Sequence, residues 1–420
     1  MNNEKLKVYP IEAYEVYEDG AIDAQGFYNH GKRLKPGYSA PPEPKPVKPS
    51  TEHEAARFAI EAISGGKNTL LYDDLGLPSV MVRIPRFNWS DVFEEGEDKP
   101  CSAFIVKGRI LESIYISKFL NVVEHGRAYS LPARNPAALY NIEEARAACA
   151  AKGTGWHLMS NAEYMAIAHW CRKNGHLPRG NSYHGNNFTE RHEVSVRKNV
   201  GAFGDKILLP NLTGTGPDTW THDGTPLGIA DLCGNLWDML SGLRMNNGEI
   251  NIIPDNDSAA GVDESADSPN WRAIRTDGTL VPPGAEGTYK YDYASSGLID
   301  DTFACLPDGV FLSAQVRNPM YKGDNPDTNH SAYTISSFRD MIHSPDAVPH
   351  PLIKQLGIYP AKWGVGDPRI FARNYGDRPA YRGGSWFDRD GAGLWTLYMR
   401  DNRTWIAEDC GFRCAYVELG

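Results

Sequence analysis

Apolar and polar residues alternate with a period of two in several short runs, and each run predicts a strand with one face turned inward. SVMVRIP (79–85) is one such run. In SIYISKF (113–119), Ile114, Ile116 and Lys118 alternate with Tyr115, Ser117 and Phe119. Near the end, GLWTLYMRD (393–401) sets Trp395, Leu397 and Met399 against Leu394, Thr396, Tyr398 and Arg400. GFRCAYVE (411–418) sets Phe412, Cys414 and Tyr416 against Arg413, Ala415 and Val417. Between these two strands Trp405, Ala407 and Asp409 share one parity, and Ile406 and Cys410 share the other.

Elsewhere the period lengthens and capping residues stand where a helix would start. In YNIEEARAACAAKG (140–153), Asn141 and Glu144 can close a capping box. Ile142, Ala145 and Cys149 then share a face, and Gly153 ends the helix. In LMSNAEYMAIAHWCRKNG (158–175), Ser160 and Glu163 form the box. Tyr164, Ile167, Ala168 and Cys171 make the inward stripe, and Asn174-Gly175 is the stop. A shorter helix is predicted in HEAARFAIEAI (53–63), ending at Gly65-Gly66.

Strands, few helices and many turns predict an α+β fold. PPEPKPVKP (41–49) holds five prolines in nine residues and reads as an extended linker. The expected organisation is a polar N-terminal segment with this linker (1–50), a short helical connector (51–78) and one main domain (79–420). The N-terminal segment is available for oligomerisation. Residues 245–370 are rich in Gly, Pro, Asp and Asn and predict long loops inserted into that domain, without a core of their own.

Composition narrows the function. With 420 residues and 41% hydrophobic content the chain can bury a sizeable core. A net charge of −10 and a pI of about 5.7 argue against a nucleic-acid partner. No apolar run reaches the roughly 18 residues of a membrane span. The first residues lack the apolar stretch of a signal peptide, which is compatible with a phage particle or the cytoplasm. The seven cysteines are scattered, with no CxxC or Cys/His zinc spacing, and read as buried packing thiols. Asp231, Asn235 and Asp238 read as turn and backbone-bonding residues rather than a cation site. His157, His169 and His192 lack ligand spacing. Neither a metal nor a cofactor is expected.

Three separated segments carry a resemblance. GWHLMSNAEYMAIAHWC (155–171), GIADLCGNLWDML (228–240) and YRGGSW…GFRCA (381–415) resemble, in order, the three signature elements of the formylglycine-generating-enzyme (sulfatase-modifying factor) branch of the C-type lectin fold. The resemblance spans about residues 79–418 and implies a C-type lectin core. The oxidases of that branch require two cysteines in the closing motif, where this chain has Asp388 and Gly393. A carboxylate and a glycine cannot supply thiolate copper chemistry. Calcium-dependent sugar lectins use EPN or QPD motifs, and the sequence contains neither.

The closing segment, 382–414, is similar to the variable region of the proteins diversified by retroelements, which include phage tropism determinants. In such proteins a fixed frame folds and the positions between are sampled. The resemblance implies a non-catalytic protein that binds a receptor or other ligand, whether protein, glycan or small molecule. Carried over by position, the ligand-binding set is Phe387, Asp388, Arg389, Asp390, Thr396, Tyr398, Arg400, Asp401, Trp405, Ala407, Glu408 and Asp409. Strand parity expects Phe387, Tyr398, Arg400 and Trp405 to be exposed together, over buried Trp386, Trp395, Leu397 and Phe412. On that basis, replacing Tyr398 and Trp405 together by alanine should leave stability nearly unchanged.

Overall fold

The helices begin where their start signals stand. In chain order they are α1 (Thr51–Ser64), α2 (Trp89–Val92), α3 (Ile142–Ala150), α4 (Asn161–Lys173) and α5 (Pro351–Gln355). Asn141 Oδ1 accepts from the amides of Glu143 and Glu144, while Glu144 bonds back to the Asn141 amide. Ser160 and Glu163 make the same reciprocal pair at α4. α1 ends at Gly65, whose φ of 61° is the left-handed turn glycine accepts most readily. Replacing Ser160 by alanine is expected to cost about 1 kcal/mol, read as a lower urea midpoint, because the orphan amide of Glu163 then has no partner.

The computed structural model describes residues 50–196, 210–293, 309–319, 333–361, 364 and 366–419. It also gives the backbone of the strands Lys5–Val8, Tyr14–Tyr17, Ile22–Asp23 and Cys305–Leu306. The first three of these pair with one another in antiparallel fashion. The proline-rich run 41–49 lies outside the described residues.

The architecture is α+β, with mostly antiparallel strands. One sheet has five strands in the order Trp156–Leu158, Cys414–Tyr416, Ser113–Ser117, Pro78–Pro85 and Asn68–Tyr72. A larger one runs from Leu280–Val281 through Arg272–Ile274, Glu249–Ile252, Trp237–Asn246 and Asp377–Gly383 to Gly393–Met399. It continues through Arg369–Ala372 and Tyr333–Ser337 to Cys305–Leu306. α4 is enclosed on nearly every side, so its buried surface is far wider than the stripe expected from Tyr164, Ile167, Ala168 and Cys171. Several of its polar side chains are satisfied inside: Asn161 Nδ2 donates to Leu356 O, Glu163 pairs with His157, and Arg172 bonds Glu94.

Residues 245–370 are not simply loops laid over the domain. They supply strands to the larger sheet, and Ile250, Ile274, Tyr291, Leu312 and Ile353 join the same hydrophobic cluster as Ile84, Ile116 and Ile167. The strands are too short, mostly two to five residues, for a period of two to stand out among so many turn residues.

Among the described residues, no helix is long and apolar enough to cross a membrane. The cysteines among the described residues are buried free thiols.

Candidate functional site

The strand Gly393–Met399 lies inside the larger sheet, antiparallel to Asp377–Gly383 and parallel to Arg369–Ala372. Trp395, Leu397 and Met399 enter one hydrophobic cluster and Tyr398 another, as the alternation expects, but Leu394, expected on the Tyr398 face, joins the Trp395 cluster. The opposite face is not open, however. Thr396 and Tyr398 are buried, and so is Asp401, against the expectation for all three. Trp237, Phe371 and Tyr381 cover the Tyr398 ring at centroid distances of 4.9, 5.6 and 5.5 Å. Sequence parity separates two faces but cannot say that a second layer covers the outer one.

Asp401 organises the polar part of the site. Its carboxylate accepts from Arg373 Nη1 at 2.7 Å, from Arg400 Nε and Nη2 at 3.2 Å, and from the Tyr398 hydroxyl. The Arg400 guanidinium stacks 4.6 Å from the Tyr333 ring and 5.1 Å from Tyr398. These aromatic faces and the carboxylate hold an arginine that remains partly open to solvent. The Tyr381 hydroxyl is buried nearby and has no hydrogen-bond partner among the described residues.

Around this floor lie the residues that reach solvent. Trp405 and Ala407 are half-buried and pack against the Tyr398 cluster. Glu408 is exposed and Asp409 partly so. Burial pushes the Asp409 carboxyl above its ordinary range. Asp388 is pushed up to about 6, by burial first and then by Asp409, although its Oδ2 accepts from the Ser385 amide and hydroxyl. Phe387 is 43% exposed and leans on Trp386 at 4.8 Å. Arg389, with φ of 57°, donates its amide to Ser182 O and brings its guanidinium 5.8 Å from the Tyr183 ring. Asp390 is exposed and pairs with Arg369 at 3.6 Å. Asp388, Arg400, Asp401 and Asp409 thus come together near Tyr398, whereas Arg389 faces the loop carrying Tyr183 and Phe387 rests on Trp386.

The frame is anchored throughout. Trp386, Trp395, Leu397 and Phe412 are buried. Arg382 donates to Asn161 Oδ1 and to the carbonyls of Leu356 and Gly357. Asp231, Asn235 and Asp238 serve as backbone and side-chain clamps: Asp231 accepts from the Gly214 amide, Asn235 bonds Asn211, and Asp238 pairs with Arg413. His157 and His169 are buried and His192 is exposed. Among the described residues no group of three or more His, Cys, Asp or Glu side chains is arranged to hold a metal ion.

The sequence reading missed Tyr333, Phe371, Arg373 and Tyr381. Tyr333 sits in the stretch read as an insertion, Phe371 belongs to a four-residue strand that precedes the closing motif, and Arg373 follows that strand directly. Phe371 and Tyr381 stand opposite Tyr398 through sheet pairing, and Tyr333 lies one strand further out. No family model matches the chain, and no curated protein matches it either.

Asp388 gives a pH prediction. In the folded state it keeps its proton up to about pH 6, against an ordinary value of 3.8. Between those values the folded chain binds more protons than the unfolded one, so this group's contribution to stability falls as pH rises from about 4 to 6. Asp388→Asn retains the acceptor for Ser385 and should flatten that part of the stability profile. A denaturation series across this range, with an unchanged slope in the variant, would refute the assignment.

Proposed function

We propose that the chain is a non-catalytic ligand-binding protein, with a C-type lectin fold of the formylglycine-generating-enzyme type and a closing surface diversified by a retroelement. The observation that supports this reading most is the division within 382–414. Arg382, Trp386, Trp395, Leu397, Phe412 and Arg413 are buried frame residues. Phe387, Asp388, Arg389, Asp390, Arg400, Trp405, Ala407, Glu408 and Asp409 reach solvent between them. Aromatics interspersed with arginines and carboxylates have the composition of a recognition surface rather than of a merely soluble one. In this reading Thr396, Tyr398 and Asp401 form the floor that holds the recognition residues, and the ligand is a protein, glycan or small molecule met at the rim.

The test lies in the gene's surroundings. A near-copy of the stretch encoding 382–414, differing at adenines, should stand beside a reverse transcriptase gene. Absence of both would remove the diversification. The non-catalytic half has its own test: a cysteine-containing sulfatase peptide should not be turned over, with or without copper. The places for the two thiolates hold Asp388 and Gly393, and the Cys410 thiol is buried and pushed well above its ordinary range. Turnover above a protein-free control would restore the oxidase reading.

A further inference from the structure

A cleft of about 370 Å³ opens away from the closing strands, between the turn after α1, the strand Pro78–Pro85, α4 and the loop 222–227. Ligand clefts usually run from about 300 to 1,000 Å³, so this one suits a small molecule. Its walls are apolar and aromatic: Val82, Ile84, Phe87, Ile167, Trp170 and Leu227. Phe87 and Trp170 remain half-exposed, and the Trp170 ring lies 5.5 Å from the ring of His222.

The charges nearby are spent. Lys67 is paired with Asp223 at 3.4 Å. Asp223 also accepts from the amide and hydroxyl of Thr225. Arg83 lies between Val82 and Ile84 in an alternating strand, so its side chain leaves their face and bonds Ser113 Oγ on the other. What remains for a ligand is a neutral donor. His222 is only 6% exposed, and its Nδ1 accepts from the Ile229 amide at 2.8 Å. Burial pushes its pKa down to about 4, so the ring is neutral at pH 7 and carries its proton on Nε2. That Nε2 makes no hydrogen bond among the described residues, yet it is not sealed from solvent. A buried ring on the cleft wall therefore keeps one N–H for whatever enters.

We propose that this cleft is a second binding site, separate from the closing surface, for a small neutral aromatic molecule that carries a carbonyl group. Its ring would be covered by Ile84, Phe87, Ile167 and Trp170, and its carbonyl oxygen would accept from His222 Nε2. A ring of the same size without an acceptor strips water from that donor and returns no bond, which sets the preference for the carbonyl compound. With Lys67 and Asp223 neutralising each other, the cleft holds no spare charge to draw an acid or a base.

Propionyl-dimethylaminonaphthalene, a neutral fluorescent ketone, is a suitable probe, titrated into the full chain beside dimethylaminonaphthalene, which lacks the carbonyl. The expected result is saturable one-to-one binding, about fivefold tighter for the ketone. His222→Asn keeps an acceptor for the Ile229 amide and loses the donor at Nε2, so it should bring the ketone down to the amine's affinity. His222→Gln, whose amide nitrogen reaches the place of Nε2, should retain the preference. Leu227→Trp, which fills the cleft, should weaken both probes. Thermal melts matching the parent would show that the variants fold. Should His222→Asn melt early, the infrared carbonyl stretch of the ketone bound to the parent decides the same point, because a hydrogen-bonded carbonyl absorbs at lower frequency than one in an apolar pocket. Absence of saturable binding, equal affinities for the two probes, an unshifted carbonyl stretch, a folded His222→Asn that still prefers the ketone, or a Leu227→Trp that binds both like the parent would each overturn the proposal.

Discussion

Replacing Arg413 by alanine is expected to destabilise the fold by about 3–5 kcal/mol, because it strands a buried carboxylate. Arg413 and Asp238 are both fully buried. Arg413 Nε sits 3.0 and 3.1 Å from the two Asp238 oxygens. Nη1 donates to Ala230 O and Ser117 O, and Nη2 to Asp231 O. One side chain therefore ties the closing strand to the strand Ser113–Ser117 and to the segment 228–240. Burial already pushes Asp238 upward even with its partner in place. Without Arg413 the carboxyl would take up a proton instead of staying charged, so the variant's deficit should shrink as pH falls. Arg413→Lys should recover little, since an ammonium cannot reproduce the planar fork of donors. Paired removal as Arg413→Met with Asp238→Leu should cost less than the single alanine variant. Chemical denaturation of the four proteins decides the matter: a single variant within about 1 kcal/mol of the parent would show that the clamp carries no weight.

The second large effect separates two residues that the strand pattern alone would treat alike. Tyr398→Ala is expected to cost about 3 kcal/mol or more, and Trp405→Ala well under half of that. Tyr398 fills a space among Trp237, Phe371 and Tyr381, so its loss leaves a cavity in a packed aromatic cluster. It also supplies a hydroxyl to Asp401, which holds Arg373 and Arg400. Trp405 only rests on that cluster and stays half-exposed. Trp405→Ala should instead weaken a bound partner, by about 2 kcal/mol if the indole is its anchor. Equal melting curves for the two variants would mean that Tyr398 is exposed in solution and that the covered face described for it is wrong.

The sequence by itself determined the local features. Asn141, Glu144, Ser160 and Glu163 announce two helix starts because a capping box is closed by residues three apart. The identities of the buried frame residues Trp386, Trp395, Leu397 and Phe412 were legible because side chains in a strand must alternate. What lies on either side of that strand was not legible. Thr396, Tyr398 and Asp401 are buried because Arg369–Ala372 and Asp377–Gly383 pair on either side of it, and Trp237 is delivered from far earlier in the chain. The same holds for Arg413, which reads as one face of an alternating strand and is in fact a buried hub for three segments. Residues 245–370 illustrate the reason most plainly. Strands of two to five residues carry too few positions to show a period, and sheet partners are chosen by contacts across tens to hundreds of residues. Periodicity reports which way a side chain points, whereas only tertiary packing decides whether water or another layer of protein waits there.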